Sequence, residues 1–417
     1  MRRLVVLPLV VLALVLGLPV ATGDHPVEWT RIEDAALAGT DRLPPQARAL
    51  LPFVPPPAPQ YVDVAPTAGA TGRPAPGLRP VRNRYPVDTV PAVWTPGTAQ
   101  TGVQVWWVAN PKDRDKDVWG KAQRIVDYVV GLGANSVAVS FPFSMKAIDS
   151  TQVLAGRGTP TPQRLEILVR QANAAGLRVT LRPILDESTL GPKGWRGNIE
   201  PTSTAAWFAS YRAFLAPYVD LAQRRHVATL VVGTEMNSLE PRTDEWTALV
   251  AWVRERYAGD VAYDLNWDNF IVGRYPKGAT GYGIDAYFPV FTDDSAGPDV
   301  IARSWTRTLR TAPPGPPGPL VLSEVGISAK RGAYQYPAAF SGVGTYDDRM
   351  QPTWYRGVCA AARGERLAGL YFWKVDFDAD PARPPRDARP NLDFLGQPKA
   401  ETAIRECLSA PWQVGTG

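Results

Sequence analysis

The chain of 417 residues has only two histidines and two cysteines. His25 lies near the N-terminus, and His226 directly precedes an apolar run that is typical of a buried strand. This scarcity excludes a histidine-based catalytic triad and a histidine-rich metal site. P-loop, HExxH and CxxC motifs are also missing. Acid–base or nucleophilic chemistry must therefore use carboxylates, tyrosines or lysines, and we expect no metal or organic cofactor.

Strong charge of either sign is lacking as well. The 45 lysines and arginines against 40 aspartates and glutamates give a formal net charge of only +5, and no dense basic run occurs. We therefore expect no nucleic-acid-binding surface. The apolar content of 45% is ordinary for a soluble globular protein, and the length allows one large domain with extensions.

The N-terminus has the pattern of a secretory signal peptide. Arg2 and Arg3 are followed by an uncharged apolar stretch up to Thr22, with small residues near Ala21. We predict a signal peptide over residues 1–22 and a secreted, extracellular protein. The alternative is an uncleaved anchor that keeps the protein at the cell envelope, because the stretch is long for a signal. Two prolines within the stretch count against a membrane-spanning helix.

Residues 23–100 are rich in proline, alanine and glycine, as in the run LPFVPPP at residues 51–57. Such a composition predicts a linker or an extended arm rather than a folded domain. Tyr61, Tyr85 and Trp94 would allow parts of this arm to anchor on the domain that follows.

The two cysteines, Cys359 and Cys407, both lie in helical segments near the C-terminus. In an exported protein two such residues can form one disulfide, and we predict this pairing. The alternative is a pair of buried thiols.

Strand-like apolar runs alternate with helical segments from residue 101 to residue 412. This alternation implies an α/β fold with a parallel sheet, and eight units predict a (β/α)8 TIM barrel. The connection between the fifth and sixth runs is short. A doubly wound open sheet is the alternative, but the first run lacks the glycine-rich turn typical of that fold. The eight runs are 103–108, 136–141, 178–185, 227–233, 261–267, 283–288, 320–324 and 368–373.

Two glutamates stand at the C-terminal ends of apolar runs. Glu235 ends the fourth run and Glu324 ends the seventh. In a barrel these ends meet at one mouth, where catalytic residues are found. Two converging carboxylates predict a glycosidase in which one is the nucleophile and the other the acid/base. The alternative is that both only form salt bridges, with Arg182 or Lys374 for example.

Other strand ends carry acids, amides and indoles, a combination that suits a carbohydrate. Aromatic faces stack on sugar rings, and carboxylates and amides bind hydroxyl groups. Each residue type alone is weak evidence, but the joint pattern at successive strand ends is stronger. These positions are Trp107, Arg182, Asp186, Glu187, Asn237, Asn266, Trp267, Asp268, Asp285, Tyr287, Trp373, Lys374 and Asp376.

Six stretches resemble the (β/α)8 clan of glycoside hydrolases that carries its acid/base on strand four and its nucleophile on strand seven. The stretches are VGTE at 232–235, YDLNWD at 263–268, GYGIDAYFP at 281–289, LSEVG at 322–326, YFW at 371–373 and GQPKA at 396–400. Within this clan the chain is most similar to glycoside hydrolase family 113, a family of β-mannanases. The resemblance covers about residues 102–410 and leaves out the proline-rich arm.

The resemblance implies separate roles for the site residues. Glu235 would be the acid/base, Glu324 the nucleophile, and Tyr287 the group that hydrogen-bonds and orients the nucleophile. Trp373 would be the floor of the subsite for the attacked sugar. The remaining predicted substrate-binding residues are Arg182, Asn266, Trp267, Asp285 and Trp107.

One position departs from the clan. Thr234 stands where much of the clan has an asparagine that binds the 2-hydroxyl of the sugar. We expect a secreted, monomeric, retaining glycoside hydrolase whose partner is a β-linked polysaccharide, with endo-β-1,4-mannan as the predicted substrate. The alternative is an inactive or weakly active barrel that binds a cell-wall or extracellular glycan.

Overall fold

The computed structural model of the protein describes residues 93–191, 194–313, 315–339, 344–384 and 393–415. The predicted signal peptide and most of the predicted arm, including Tyr61 and Tyr85, lie outside the described residues. Trp94, near the end of the arm, donates a hydrogen bond from Nε1 to the Thr98 carbonyl oxygen at 2.9 Å. The guanidinium of Arg178 lies 4.3 Å from the centre of its ring. Trp94 therefore anchors the chain at the start of the barrel.

Eight parallel strands close into a barrel in chain order, so that β8 pairs with β1. The predicted (β/α)8 barrel is confirmed, and the open doubly wound sheet is wrong because such a sheet would leave two unpaired edges. The strands are β1 (Gln100–Trp106), β2 (Ser136–Phe143), β3 (Arg178–Leu185), β4 (Thr229–Thr234), β5 (Asp260–Asn266), β6 (Gly281–Asp285), β7 (Leu320–Val325) and β8 (Gly369–Asp376).

Helices follow the strands and pack around the barrel. Some of these helices begin at a residue whose side chain caps the first turn. At the start of the longest described helix, the Ser203 side chain accepts a hydrogen bond from the backbone N of Ala206. Among the described residues, no helix is long and apolar enough to span a bilayer. The helices are α1 (Asp115–Gly131), α2 (Pro162–Ala174), α3 (Thr204–Arg224), α4 (Thr243–Arg254), α5 (Trp267–Ile271), α6 (Pro298–Thr311), α7 (Met350–Gly364) and α8 (Pro398–Leu408).

The strands separate an apolar outer layer from a polar interior. Outward side chains such as Val103 and Val105 are fully buried in the main apolar core. Inward side chains bind one another: Ser140 Oγ donates to Gln104 Oε1 at 2.7 Å, and Gln104 Nε2 donates to the Ser323 carbonyl oxygen at 2.7 Å. Buried polar groups that are paired in this way avoid the cost of desolvation without a partner.

Gly283 of β6 leaves room for this polar interior. A Cβ atom there would lie 1.9 Å from Ser323 Oγ and 2.1 Å from Asp264 Oδ1. Only a residue without a side chain fits, because those two groups bind each other across the position at 2.9 Å.

The predicted disulfide joins Cys359 of α7 to Cys407 of α8, with their Cα atoms 5.9 Å apart. The same two helices also hold an exposed ion pair, Arg356 Nε to Glu406 Oε2 at 2.7 Å. The last helix is therefore tied to the barrel covalently, in addition to the apolar contacts of its buried face.

We expect the double variant Cys359→Ser/Cys407→Ser to lose about 4 kcal/mol of unfolding free energy in urea, because the bond closes a long loop in the unfolded chain. Arg356→Ala on the same helix pair is the control, and its surface ion pair should contribute about 0–1 kcal/mol. Equal losses in the two variants would show that the disulfide adds nothing beyond surface contacts.

Candidate active site

The carboxylate of Glu324 lies at the centre of the barrel mouth, on β7. The residue is 5% exposed, and both of its oxygens accept hydrogen bonds. Arg182 Nη1 donates to Oε1 at 2.5 Å, and the Tyr287 hydroxyl donates to Oε2 at 2.7 Å. A carboxylate that accepts two such bonds, one of them from a cation, is held firmly in one orientation.

Arg182 of β3 joins this glutamate to two buried aspartates. Its Nε donates to Asp264 Oδ2 at 2.5 Å, and its Nη2 lies 2.6 Å from both oxygens of Asp285. Burial alone would lower the pKa of Arg182, but the three carboxylates outweigh burial and raise that pKa well above its usual value. Arg182 is therefore a permanent cation inside the barrel.

The positions of Arg182 and Asp285 correct their predicted role as substrate-binding residues. Both are 0% exposed and their charged groups are bound to each other. Inward side chains of the strands lie in layers below the rim, so these two support the site from beneath and leave no atom for a ligand.

Tyr287 follows β6 and is positioned as predicted, against Glu324. Burial and the neighbouring Glu324 raise the pKa of its hydroxyl well above the usual value, so that it stays protonated and donates. The backbone next to Tyr287 is fixed to β7, the strand of Glu324, because the Ala286 N–H donates to the Glu324 carbonyl oxygen at 2.8 Å.

Glu235 lies directly after β4 in a strained backbone conformation. Its φ of 51° is in the left-handed region, which residues other than glycine rarely adopt. The turn is held by two hydrogen bonds: Glu235 N donates to the Asp264 carbonyl oxygen at 2.9 Å, and Met236 N donates to the Tyr263 hydroxyl at 3.1 Å. Such strain persists where the surroundings fix it, and it is frequent at functional sites.

The side chain of Glu235 has a pKa near neutrality. Burial raises this pKa, Arg196 lowers it, and the charge of Glu324 raises it, with a net value of about 7. Arg196 Nη1 donates to Glu235 Oε2 at 2.8 Å. A carboxyl with such a pKa can both give and accept a proton at neutral pH.

Arg196 is a site residue that the sequence pattern does not single out. It lies in the segment between β3 and α3, away from any strand end, and no periodic pattern marks it. The neighbouring Glu187, which is a strand-end residue, binds Arg196 Nη2 at 3.0 Å. The one indirect indication of Arg196 in the sequence is Glu187, a strand-end acid that needs a cationic partner.

Trp373 of β8 forms the apolar side of the site. It is 7% exposed, and it packs with Tyr287 and Ile184 in a small cluster of its own. Trp106 stands beside it, with ring centres 6.0 Å apart. The Trp373 Nε1 is buried without a hydrogen-bond partner among the described residues. Because this N–H is shielded from solvent, the contribution of Trp373 to the site is its apolar ring.

Trp107 does not belong to this cluster, which corrects its prediction as a substrate-binding residue. It is 1% exposed and stacks on Phe377 with ring centres 3.8 Å apart, within the main core. Adjacent strand residues point to opposite faces. Trp106 therefore takes the inward position and Trp107 the outward one.

Asn266 and Trp267 lie at the rim where β5 ends. The Asn266 side chain caps α5 by accepting a weak hydrogen bond from the backbone N of Asp268 at 3.5 Å. Trp267 is the first residue of α5, and its ring packs partly against the Trp373 cluster. Both are near the site, and their sugar-binding roles stay predictions.

Lys374 does not pair with either glutamate. It binds Asp376 at 2.8 Å and Asp393 at 2.9 Å, on the wall of a cavity of about 450 Å³ next to Trp106. Within the described ranges, no cluster of three or more histidine, cysteine or acidic side chains could hold a metal ion.

Comparison with known proteins agrees with this geometry. A model of Glycoside Hydrolase Family 113 matches residues 113–395, which is more than half of the chain. No curated protein matches the sequence.

Solved structures show the same fold. A GH113 β-1,4-mannanase has a TM-score of 0.62 at 21% identity, across 74% of this chain and 98% of that one. The GH113 β-mannanase AaManA from Alicyclobacillus acidocaldarius, solved in complex with ManMIm, has a TM-score of 0.62 at 22% identity, across 75% and 97%. A GH5_18 protein from Bifidobacterium longum subsp. longum ATCC 55813 reaches 0.51 at 12% identity, across 76% and 81%.

We expect Arg182→Met to lower the unfolding free energy by about 3–5 kcal/mol, because it leaves three carboxylates buried without their cation. The desolvated acids would have folded-state pKa values above their unfolded values. The variant should therefore be most stable at acidic pH and lose stability as pH rises. Urea unfolding between pH 5 and 8 measures both effects.

Arg178→Met, at the start of the same strand, is the matched control, since its partner Asp260 has a side chain that is 61% exposed. A similar small loss in both variants, without the pH dependence, would contradict the role of Arg182.

Proposed function

The chain belongs to Glycoside Hydrolase Family 113 and is a glycoside hydrolase, and from this premise we propose that it is a retaining enzyme cleaving internal bonds of β-1,4-linked mannan. The observation that carries the mechanism is the difference between its two glutamates. Glu324 accepts hydrogen bonds at both oxygens, from Arg182 and Tyr287, whereas Glu235 accepts one from Arg196 and has a pKa of about 7. A carboxylate held in one orientation beside a carboxyl with a pKa near neutrality is the arrangement expected of a nucleophile and an acid/base.

In the first step, an oxygen of Glu324 bonds to the anomeric carbon of the sugar. The bond between that carbon and the glycosidic oxygen breaks at the same time. Glu235 gives its proton to the departing oxygen, so that the leaving chain is released as a neutral alcohol. Glu324 attacks as a carboxylate, and the donors Arg182 and Tyr287 hold its two oxygens in position.

In the second step, water attacks the anomeric carbon and the ester bond to Glu324 breaks. Glu235, now ionised, takes the proton of the water, and Glu324 recovers its carboxylate. Each step inverts the anomeric carbon, so two steps retain its configuration. A residue that serves as acid and then as base needs a pKa close to the working pH, as Glu235 has.

The mannan substrate is supported by the family and by the apolar side of the site. Two similar solved structures are described as mannanases. Trp373 offers an indole ring on the apolar side of the site, which fits a sugar ring. Trp106, which packs against the Trp373 cluster, also lines a separate cavity of about 450 Å³ that has room for further sugar units.

We expect Glu324→Ala to abolish the release of reducing sugar from β-1,4-mannan, and Glu235→Ala to lower it by about 10²–10⁴-fold. Activated aryl mannosides need no protonation of the leaving group, so Glu235→Ala should keep more activity on them than on mannan. The exposed Glu255→Gln serves as the control. Proton NMR of the first product should show the β anomer.

Near wild-type turnover by either alanine variant, or an α product, would contradict the mechanism. A panel of mannans, glucans and bacterial wall glycans tests the substrate. Binding to one of these without release of sugar would identify a glycan-binding barrel instead of a hydrolase.

We also propose that the protein is exported after removal of residues 1–22. The Cys359–Cys407 disulfide supports this location, since such bonds persist in oxidising compartments. The mass of the secreted protein should correspond to a chain that begins near residue 23. A full-length protein that stays with the membrane fraction would instead identify an uncleaved anchor.

A further inference from the structure

Arg196 forms the one direct ion pair with Glu235 among the described residues. Nη1 lies 2.8 Å from Glu235 Oε2, and Nη2 lies 3.0 Å from Glu187 Oε1. The three side chains are only 19%, 11% and 22% exposed, in the order Arg196, Glu235 and Glu187. Charges at such short distances with little water between them interact strongly.

The segment that carries Arg196 is fixed to the turn that carries Glu235. The Ser238 N–H donates to the Gly197 carbonyl oxygen at 2.9 Å, and the Ser238 hydroxyl donates to the Ile199 carbonyl oxygen at 2.6 Å. Ser238 comes three residues after Glu235, and Gly197 and Ile199 come one and three residues after Arg196, so the two loops are bound together next to the ion pair. The position of the guanidinium is therefore part of the site.

We propose that Arg196 is a positioning residue for the reaction, which orients the Glu235 carboxyl and balances its negative charge. Glu187 binds the same guanidinium and thereby weakens the attraction between Arg196 and Glu235. This inference rests on the proposed function of Glu235 as acid/base. The strand-end pattern does not point to Arg196.

The charges around Glu235 act in opposite directions. Burial raises its pKa, Arg196 lowers it most among the charges, and Glu324 and Glu187 raise it. Arg182 lowers it from the other side of the site. Removing Arg196 should therefore raise the pKa of Glu235, and removing Glu187 should lower it. The charged or titratable groups that interact with Glu235 are Arg196, Glu187, Arg182, Glu324, Asp285, Tyr287 and Tyr263.

The balance matters because Glu235 must change its protonation between the two steps. Before the first step the negative Glu324 favours a protonated Glu235. Once Glu324 is esterified, its charge is gone, and the effect of Arg196 on the Glu235 pKa is opposed only by burial and by the remaining acids such as Glu187. Arg196 then favours the ionised Glu235 that must accept a proton from water.

The pH dependence of kcat/KM on mannan tests the charge effect. Activity falls as pH rises through the pKa of the acid, so the alkaline limb reports Glu235. We expect Arg196→Met to move this limb up by about one pH unit and Glu187→Gln to move it down. Arg196→Lys keeps the charge and should lie between wild type and Arg196→Met. The exposed Arg303→Met of α6 should leave the limb unchanged.

The second readout is the covalent intermediate. With an activated aryl β-mannoside the first step needs no acid and is fast. If the second step is slow, the glycosyl-enzyme intermediate then accumulates and can be detected. We expect the glycosyl-enzyme of Arg196→Met to accumulate below neutral pH, as detected by the mass of the intact protein. Wild type and Arg303→Met should accumulate less of it.

An equal loss of activity at every pH in Arg196→Met, with an unmoved limb, would overturn the proposal and leave Arg196 a purely structural residue. A shift of Glu187→Gln in the same direction as Arg196→Met would overturn it too. Glu235→Gln separates the two hypotheses. If Glu235→Gln leaves the alkaline limb in place, Glu235 is not the acid and the proposed function fails. If Glu235→Gln removes the limb but Arg196→Met leaves the limb unmoved, only the proposed role of Arg196 fails.

Discussion

The site depends on one buried cation. Arg182 binds Glu324, Asp264 and Asp285 inside the barrel, and all four side chains are almost fully shielded from water. Burying any of these charges alone would cost several kcal/mol, roughly the whole stability margin of a domain. Together they satisfy one another, and the result is a carboxylate held in one orientation at the point where a nucleophile is needed.

Asp264 extends this arrangement to the other glutamate. Its carboxylate binds Arg182 and Ser323, while its backbone oxygen accepts the N–H of Glu235 in the left-handed turn. The same strand, β5, also supplies Tyr263, whose hydroxyl accepts the next N–H of that turn. The positions of both glutamates are thus set from β5, which lies next to β4 but not next to β7.

The sequence predicts the barrel and the two glutamates because both depend on local patterns. Apolar runs mark strands, and a charge at the end of such a run marks the mouth. Trp107 shows where such local patterns stop being sufficient. Whether Trp106 or Trp107 faces the barrel interior depends on the alternation of side chains along β1, and a shift of one residue exchanges the two positions. Asp285 does end its strand, whereas Arg182 lies in the middle of β3, and their mutual pairing is a contact between distant parts of the chain. Arg196 was missed for the same reason, since only the folded loop brings it to Glu235.

Salt bridges and catalysis are not alternatives for these glutamates. Both do form ion pairs, Glu324 with Arg182 and Glu235 with Arg196. The two pairs differ in how the arginine is shared. Arg182 is fully buried among three carboxylates, and its partner Glu324 is held by hydrogen bonds at both oxygens. Arg196 is partly exposed and shared with a single second acid, Glu187. Arg196 lowers the pKa of Glu235 by less than burial raises it, so Glu235 can still take up a proton near neutral pH. The strength of each ion pair thus suits the different task proposed for each glutamate.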